Sequence, residues 1–165
     1  MNLAPIIPQR RSEPPADPAW ASELKLDGFR GLADTINGRM LSKNLNPLKR
    51  YRHLLDSLPP GCVFDGEICL LDREGRPDFN ALLFRRGEPV YVAFDLLFYE
   101  GEDIRGLALK ERRGLLDQVA QRYRLQKSEL FIGCSTSLYR TVCEMDLEGV
   151  IYKRLEDQYG PEVRL

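Results

Sequence analysis

Glu23-Leu24-Lys25-Leu26-Asp27-Gly28-Phe29-Arg30 is the stretch on which the reading of this chain turns. In an extended backbone, side chains two apart point the same way, so Glu23, Lys25 and Asp27 share one face. That face leads into Asp27-Gly28, a pair that favours a turn. Taken alone, the pattern reads as a solvated strand edge with alternating charge. It reads equally as a lysine held among acids and an arginine, where partial desolvation makes the amine a nucleophile.

Outward from this stretch, β-rich runs predict strands over residues 20–26, 29–37 and 40–43. They are broken at Asp27-Gly28 and at Asn37-Gly38, a strong hairpin signal, so an antiparallel meander is expected. Leu48, Tyr51, Leu54, Leu55 and Leu58 are spaced as one face of an amphipathic helix over residues 47–58, and Pro59-Pro60-Gly61 stops it. Strands are predicted over 62–71, 90–99, 130–134 and 150–154, and helices over 109–123 and 138–145. Gly75-Arg76-Pro77-Asp78 is suited to turn the chain and cap a short helix over 79–84. Strict βαβ alternation is missing, which favours an α+β fold with antiparallel β-sheets and flanking helices over a doubly wound parallel sheet.

The 165 residues suffice for one domain. Residues 1–19, with Pro5, Pro8, Pro14, Pro15, Pro18, Arg10 and Arg11, read as a flexible Pro-rich N-terminal arm, leaving residues 20–165 as the folded unit. Lys and Arg number 24 against 25 Asp and Glu, a net charge of −1, so any nucleic-acid surface must be local. The basic run Lys43, Lys49, Arg50 and Arg52 reads equally as such a patch or as a solvated helix face. Cys62, Cys69, Cys134 and Cys143 contain no Cys-x-x-Cys pair and are accompanied by one histidine, which argues against structural zinc and for buried reduced thiols in a cytoplasmic protein. No run approaches the ~20 apolar residues of a membrane span, and no signal pattern opens the chain.

Three further segments carry chemistry. In Val63-Phe64-Asp65-Gly66-Glu67-Ile68, Asp65 and Glu67 share a face opposite Phe64 and Ile68. Paired carboxylates of this kind hold a hard cation such as Mg²⁺ or accept from sugar hydroxyls, although an ordinary half-exposed strand fits too. Tyr91-Val92-Ala93-Phe94-Asp95-Leu96-Leu97 reads first as core. In Leu147-Glu148-Gly149-Val150-Ile151-Tyr152-Lys153-Arg154, parity puts Glu148 and Lys153 on opposite faces. Both serve one site only if Glu148 precedes the regular strand, a bend that Gly149 makes feasible.

Lys-x-Asp-Gly-x-Arg, Asp-Gly-Glu, an aromatic strand and Glu-Gly-Val-Ile-x-Lys occur here in that order. The constellation resembles the covalent nucleotidyltransferases: ATP-dependent DNA ligases, RNA ligases and messenger-RNA capping enzymes. It is most similar to the ligase domain of bacterial end-joining ligases, with which Gly75-Arg76-Pro77-Asp78-Phe79 and Glu111-Arg112-Arg113 also agree. The resemblance implies an ATP-grasp-like nucleotidyltransferase core and an adenylation domain that uses ATP and Mg²⁺ to form a covalent lysyl-AMP. The AMP then passes to the 5′-phosphate of nicked duplex DNA during repair.

Residue by residue, the resemblance implies Lys25 as the nucleophile and Lys153 as the cation on the α-phosphate. It assigns Glu23 to adenine selection, Phe94 to adenine stacking, Arg30 to the ribose and nick phosphate, and Glu67 to the ribose hydroxyls. Asp65, Glu67 and Glu148 become the metal-side acids. Lys43 falls where family ligases carry an arginine on the nick-side phosphate, and it keeps the charge without the bidentate fork. Family members continue past a segment like Gln158-Tyr159-Gly160-Pro161 into a Lys-x-Lys motif and an OB-fold domain. Neither is in this sequence, so no OB-fold domain is expected here and a separate OB-fold or repair protein is the implied partner. A degenerate nucleotide- or DNA-binding repair scaffold, or an RNA ligase, is the alternative.

Overall fold

A computed structural model describes residues 3–10 and 13–160; Arg11 of the expected arm and the last positions of the expected 20–165 unit, Pro161 among them, lie outside the described residues. In chain order the elements are β1 (Trp20–Leu24), β2 (Phe29–Asp34), β3 (Arg39–Ser42), a 3-10 helix (Lys49–Ser57), β4 (Val63–Cys69), α1 (Phe79–Leu83) and β5 (Val90–Tyr99). They continue with β6 (Glu102–Asp103), α2 (Leu109–Tyr123), β7 (Phe131–Ile132), α3 (Ser135–Glu144) and β8 (Val150–Arg154). Every paired strand is antiparallel, in two sheets of order β3-β2-β4-β5-β6 and β7-β1-β8. This is the α+β fold with flanking helices.

The expected meander is corrected in one respect: β1 does not pair with β2. It lies between β7 and β8, and Asp27-Gly28 is where the chain crosses from one sheet to the other. The crossing is tight enough that a Cβ on Gly28 would collide with the carbonyl of Ile68 in β4. The expected helix over 47–58 forms as a 3-10 helix. Tyr51 and Leu54, three apart, superpose on three residues per turn and point into the core, and the element is only nine residues long between Pro47 and Pro59. The cap on α1 is the expected one, with the Ala81 N–H donating to Oδ1 of Asp78 at 2.8 Å.

The five-stranded sheet is covered on both faces. Phe64, Ile68, Ala93 and Leu96 pack with Leu116 and Val119 of α2, Leu82 of α1 and the 3-10 helix. On the other face Leu32, Leu41, Val63, Leu97 and Phe98 meet Tyr159, Leu3 and Ile6. The Pro-rich segment carries no helix or strand in its described residues, and its first part is docked: Leu3 and Ile6 are 2% and 6% exposed. Each such burial is worth roughly 1.5–3 kcal/mol as an upper estimate. All four cysteines are free; Cys62 and Cys69 are buried, whereas Cys134 and Cys143, on either end of α3, are exposed rather than buried as expected. Among the described residues no helix is long and apolar enough to cross a membrane.

Candidate active site

Lys25 follows β1 directly, and its N–H donates to the Gly149 carbonyl at 2.9 Å, extending the β1–β8 ladder by one bond. Its ammonium forms an ion pair with Glu148, which stands two residues ahead of β8 and reaches the lysine from there. The side chains remain 42% and 33% accessible, so a ligand can reach the pair. Lys153, in the register partner of Ala21, is by contrast buried and pairs with Glu23. Its Nζ also sits 4.6 Å from the centre of the Phe94 ring, a cation–π contact.

Glu23 is 3% exposed and its carboxylate is fully engaged. Lys153 takes one oxygen; Ser128 Oγ donates to the other at 2.9 Å, with Arg113 Nη1 at 3.6 Å. Arg113 holds the same corner together, donating to the carbonyls of Phe94 at 2.7 Å and Ser128 at 2.5 Å. A buried charge is tolerated only when paired and hydrogen-bonded in this way.

On the facing sheet, Arg30 grips Asp65 with two bonds, Nε to Oδ1 at 3.0 Å and Nη2 to Oδ2 at 2.6 Å. Its third donor, Nη1, reaches the Ile6 carbonyl at 2.6 Å. Burial alone would weaken the guanidinium's hold on its proton, but the Asp65 charge outweighs this and drives the pKa up. Asp65 also accepts from the buried Tyr159 hydroxyl at 2.6 Å, and desolvation with the Asp65 charge holds that phenol protonated. Across β4 and β5, Asp65 stands opposite Asp95, a like-charge register that costs energy unless each is neutralised. Asp95 has its own bidentate partner in Arg112, at 2.9 and 2.8 Å.

Glu67 lines the same cavity without an arginine fork of its own. Burial raises its pKa to about 8, against the pull of Arg30 and with the push of Asp65. Lys43 is exposed on the turn after β3, at the cavity mouth. The cavity measures about 450 Å³, and Glu23, Lys25, Arg30, Lys43, Asp65, Glu67, Phe94 and Lys153 all line it. A few hundred cubic ångströms is the size of a small-molecule site. Every candidate residue except Glu148 is on its wall, and Glu148 reaches it through Lys25.

The three carboxylates expected to hold Mg²⁺ are not assembled as a cage. Asp65 is consumed by Arg30 and Tyr159, Glu67 favours its neutral form near neutral pH, and Glu148 is on Lys25. Among the described residues no group of three or more His, Cys, Asp or Glu is arranged for a metal. These residues do not fit a resident metal centre.

Sequence reasoning noticed Arg112, Arg113 and Tyr159 only as familiar neighbours and missed Ser128, Asp95 and Ile6 as supports of the wall. The alternation in Phe94-Asp95 hinted at Asp95, an acid in the middle of an apolar strand that requires a buried partner. Ile6 acts through its backbone carbonyl, for which side-chain patterns give no signal.

The sequence model of the family described as ATP dependent DNA ligase domain matches residues 13–165. The multifunctional non-homologous end joining protein LigD of Pseudomonas aeruginosa is 39% identical over 95% of this chain, a match covering 20% of that protein. A solved structure of mycobacterial DNA ligase D complexed with ATP and MES superposes with a TM-score of 0.85 at 29% identity, covering 99% of this chain and 57% of the other. The ligase domain of LigD from M. tuberculosis gives 0.76 at 31% identity, over 88% and 52% of the two chains. The chain thus spans about a fifth of that curated relative and little more than half of these solved ones.

Proposed function

The chain belongs to the family of ATP-dependent DNA ligase domains, and from that membership we propose that it carries the adenylation step, with Lys25 as the nucleophile. The observation that carries the reading is the position of the Lys25 amine, accessible at a cavity whose wall gathers Glu67, Arg30, Phe94 and Lys153.

In the proposed step the Lys25 Nζ lone pair attacks the α-phosphorus of ATP. A P–N bond forms, the α–β bridging P–O bond breaks, and its electron pair leaves with pyrophosphate. Glu148 is the nearest acceptor for the ammonium proton. Lys153 and Arg30 supply positive charge where charge is redistributed on the phosphate, and Glu67 accepts from or donates to the ribose hydroxyls. The Phe94 ring packs beside the base and Glu23 sets base preference through the Lys153, Ser128 and Arg113 cluster. AMP then passes to the 5′-phosphate of a nicked duplex, and the 3′-hydroxyl displaces it to seal the strand.

Mg²⁺ in this reading accompanies the nucleotide as its counter-ion, and no step is assigned to a resident ion. Lys43 and Arg30 face the nick phosphate, the setting is DNA repair in the cytoplasm, and an OB-fold or repair protein closes over the DNA. Incubation with α-labelled ATP and Mg²⁺ tests the reading: label is retained through denaturation in the wild type and absent from Lys25→Ala. Label from γ-labelled ATP, or label surviving in Lys25→Ala, would contradict it.

A further inference from the structure

In Ala4-Pro5-Ile6-Ile7-Pro8 two of the five residues have a fixed φ and no N–H. Ala4 and Ile7, each ahead of a proline, are steered to extended backbone as well. Such a segment has little conformational freedom left to lose on docking, and it presents carbonyls with few donors among them. Leu3 and Ile6 are three apart, the period of a polyproline turn, and both are buried while Ile7 is 75% exposed. They share one apolar cluster with Leu32 and Tyr159. Leu32 is two residues from Arg30 on β2, so strand parity puts both on the face that the segment crosses.

That crossing has a chemical consequence at Arg30. A guanidinium carries five N–H donors in one rigid plane. Asp65 takes one from Nε and one from Nη2, and the Ile6 carbonyl takes one from Nη1 at 2.6 Å. One N–H on each terminal nitrogen is left for a ligand. The guanidinium carbon also lies 5.3 Å from the centre of the Phe94 ring. Asp65 thus fixes one edge of the plane and the Ile6 carbonyl fixes the nitrogen that Asp65 does not reach. Ile6 and Pro8 line the cavity themselves, whereas Leu3 is buried behind its wall.

We propose that the docked segment 3–8 is a working part of the active site: through the Ile6 carbonyl it positions Arg30 for the nucleotide, and Leu3 is the anchor that keeps that carbonyl in place. Ile6 and Leu3 are positioning residues, acting on the ligand only through the guanidinium. The identity of the ligand rests on the adenylation reading above, whereas the positioning rests on the bond from Arg30 to Ile6 and the burial of Leu3.

The test is a double-mutant cycle on ATP affinity, read by calorimetry in the full chain carrying Lys25→Ala so that no adduct forms. Leu3→Ser undocks the anchor without altering a residue of the cavity wall, and Arg30→Lys keeps a charge for Asp65 but gives up the planar fork. Each alone should weaken ATP binding about tenfold, the scale of one hydrogen bond from a charged donor. Together they should weaken it no more than Arg30→Lys does, because residues acting through one contact are not additive; a general loosening of the fold would multiply the losses. Leu3→Met, which refills the same space, should recover the affinity. An ester in place of the Ile6–Ile7 amide makes the carbonyl a weaker acceptor with every side chain intact, and should reproduce the Leu3→Ser loss. It reads the contact even if Leu3→Ser fails to fold, as thermal unfolding would reveal. Losses that multiply, unchanged affinity in folded Leu3→Ser or in the ester, or no ATP binding by the parent would each overturn the proposal. AMP labelling of the same set with Lys25 restored separates the two readings. A non-additive cycle without label contradicts only the adenylation step, and label with multiplying losses contradicts only the positioning.

Discussion

The Tyr159 hydroxyl donates to Oδ2 of Asp65 at 2.6 Å, joining positions 94 residues apart on the wall of one cavity. Asp65 is at the same time the carboxylate that aligns Arg30, so the phenol indirectly sets where that guanidinium points. Tyr159→Phe removes the bond and leaves the ring. A hydrogen bond to a charged group is worth about 1.5–3 kcal/mol, and the variant should lose that much stability in denaturant unfolding while binding ATP more weakly. Unchanged stability and ATP affinity would show that Asp65 and Arg30 hold their geometry alone.

Asp95 and Arg112 form a buried bidentate pair at 2.9 and 2.8 Å beneath the site. Removing one charge strands the other. Asp95→Ala should therefore cost about 3–5 kcal/mol in thermal or denaturant unfolding, and replacing both residues by leucine and methionine respectively should cost much less. Equal costs for the single and double variants would refute the argument from an uncompensated charge.

Glu67 gives the pH dependence a definite sign. Burial raises its folded-state pKa to about 8 from 4.5, so the native protein keeps the proton that the unfolded chain gives up. The contribution is full below the unfolded value, falls as pH rises, and is gone once pH passes the folded one. Wild type should lose stability relative to Glu67→Gln across that window, with no further change in the difference above it. A difference that stays flat from about pH 5 to 9 would contradict the burial argument.

Lys153 holds Glu23 and the Phe94 ring from the inner end of the cavity. Lys153→Met should reduce the rate of AMP labelling by about 10²-fold, the usual scale for losing one charge-stabilising donor, and Lys153→Arg should recover part of it. A labelling rate equal to wild type would remove Lys153 from the reacting site.

Much of this site was legible because strand parity is a strong constraint. The spacing of Glu23 and Lys25 placed both on one wall, and the predicted need for Glu148 to stand ahead of its strand agrees with where it lies. What stayed hidden depends on contacts between distant segments. Nothing local to Asp27-Gly28 tells a hairpin from a crossing between sheets; the choice follows from β1 finding β8, over a hundred residues away. The engagement of Asp65 is hidden for the same reason: the residue looks available in sequence and is committed to Arg30 and Tyr159 in the fold. Pro-rich composition could not reveal that Leu3 and Ile6 fill the space over β2 and β4.

The central claim is that one lysine becomes covalently adenylated, and peptide mapping by mass spectrometry after incubation with ATP reads it directly. One AMP is expected on the peptide containing Lys25, absent from Lys25→Ala and Lys25→Arg. An AMP found on another residue, or no adduct on a folded wild-type protein saturated with ATP and Mg²⁺, would contradict it.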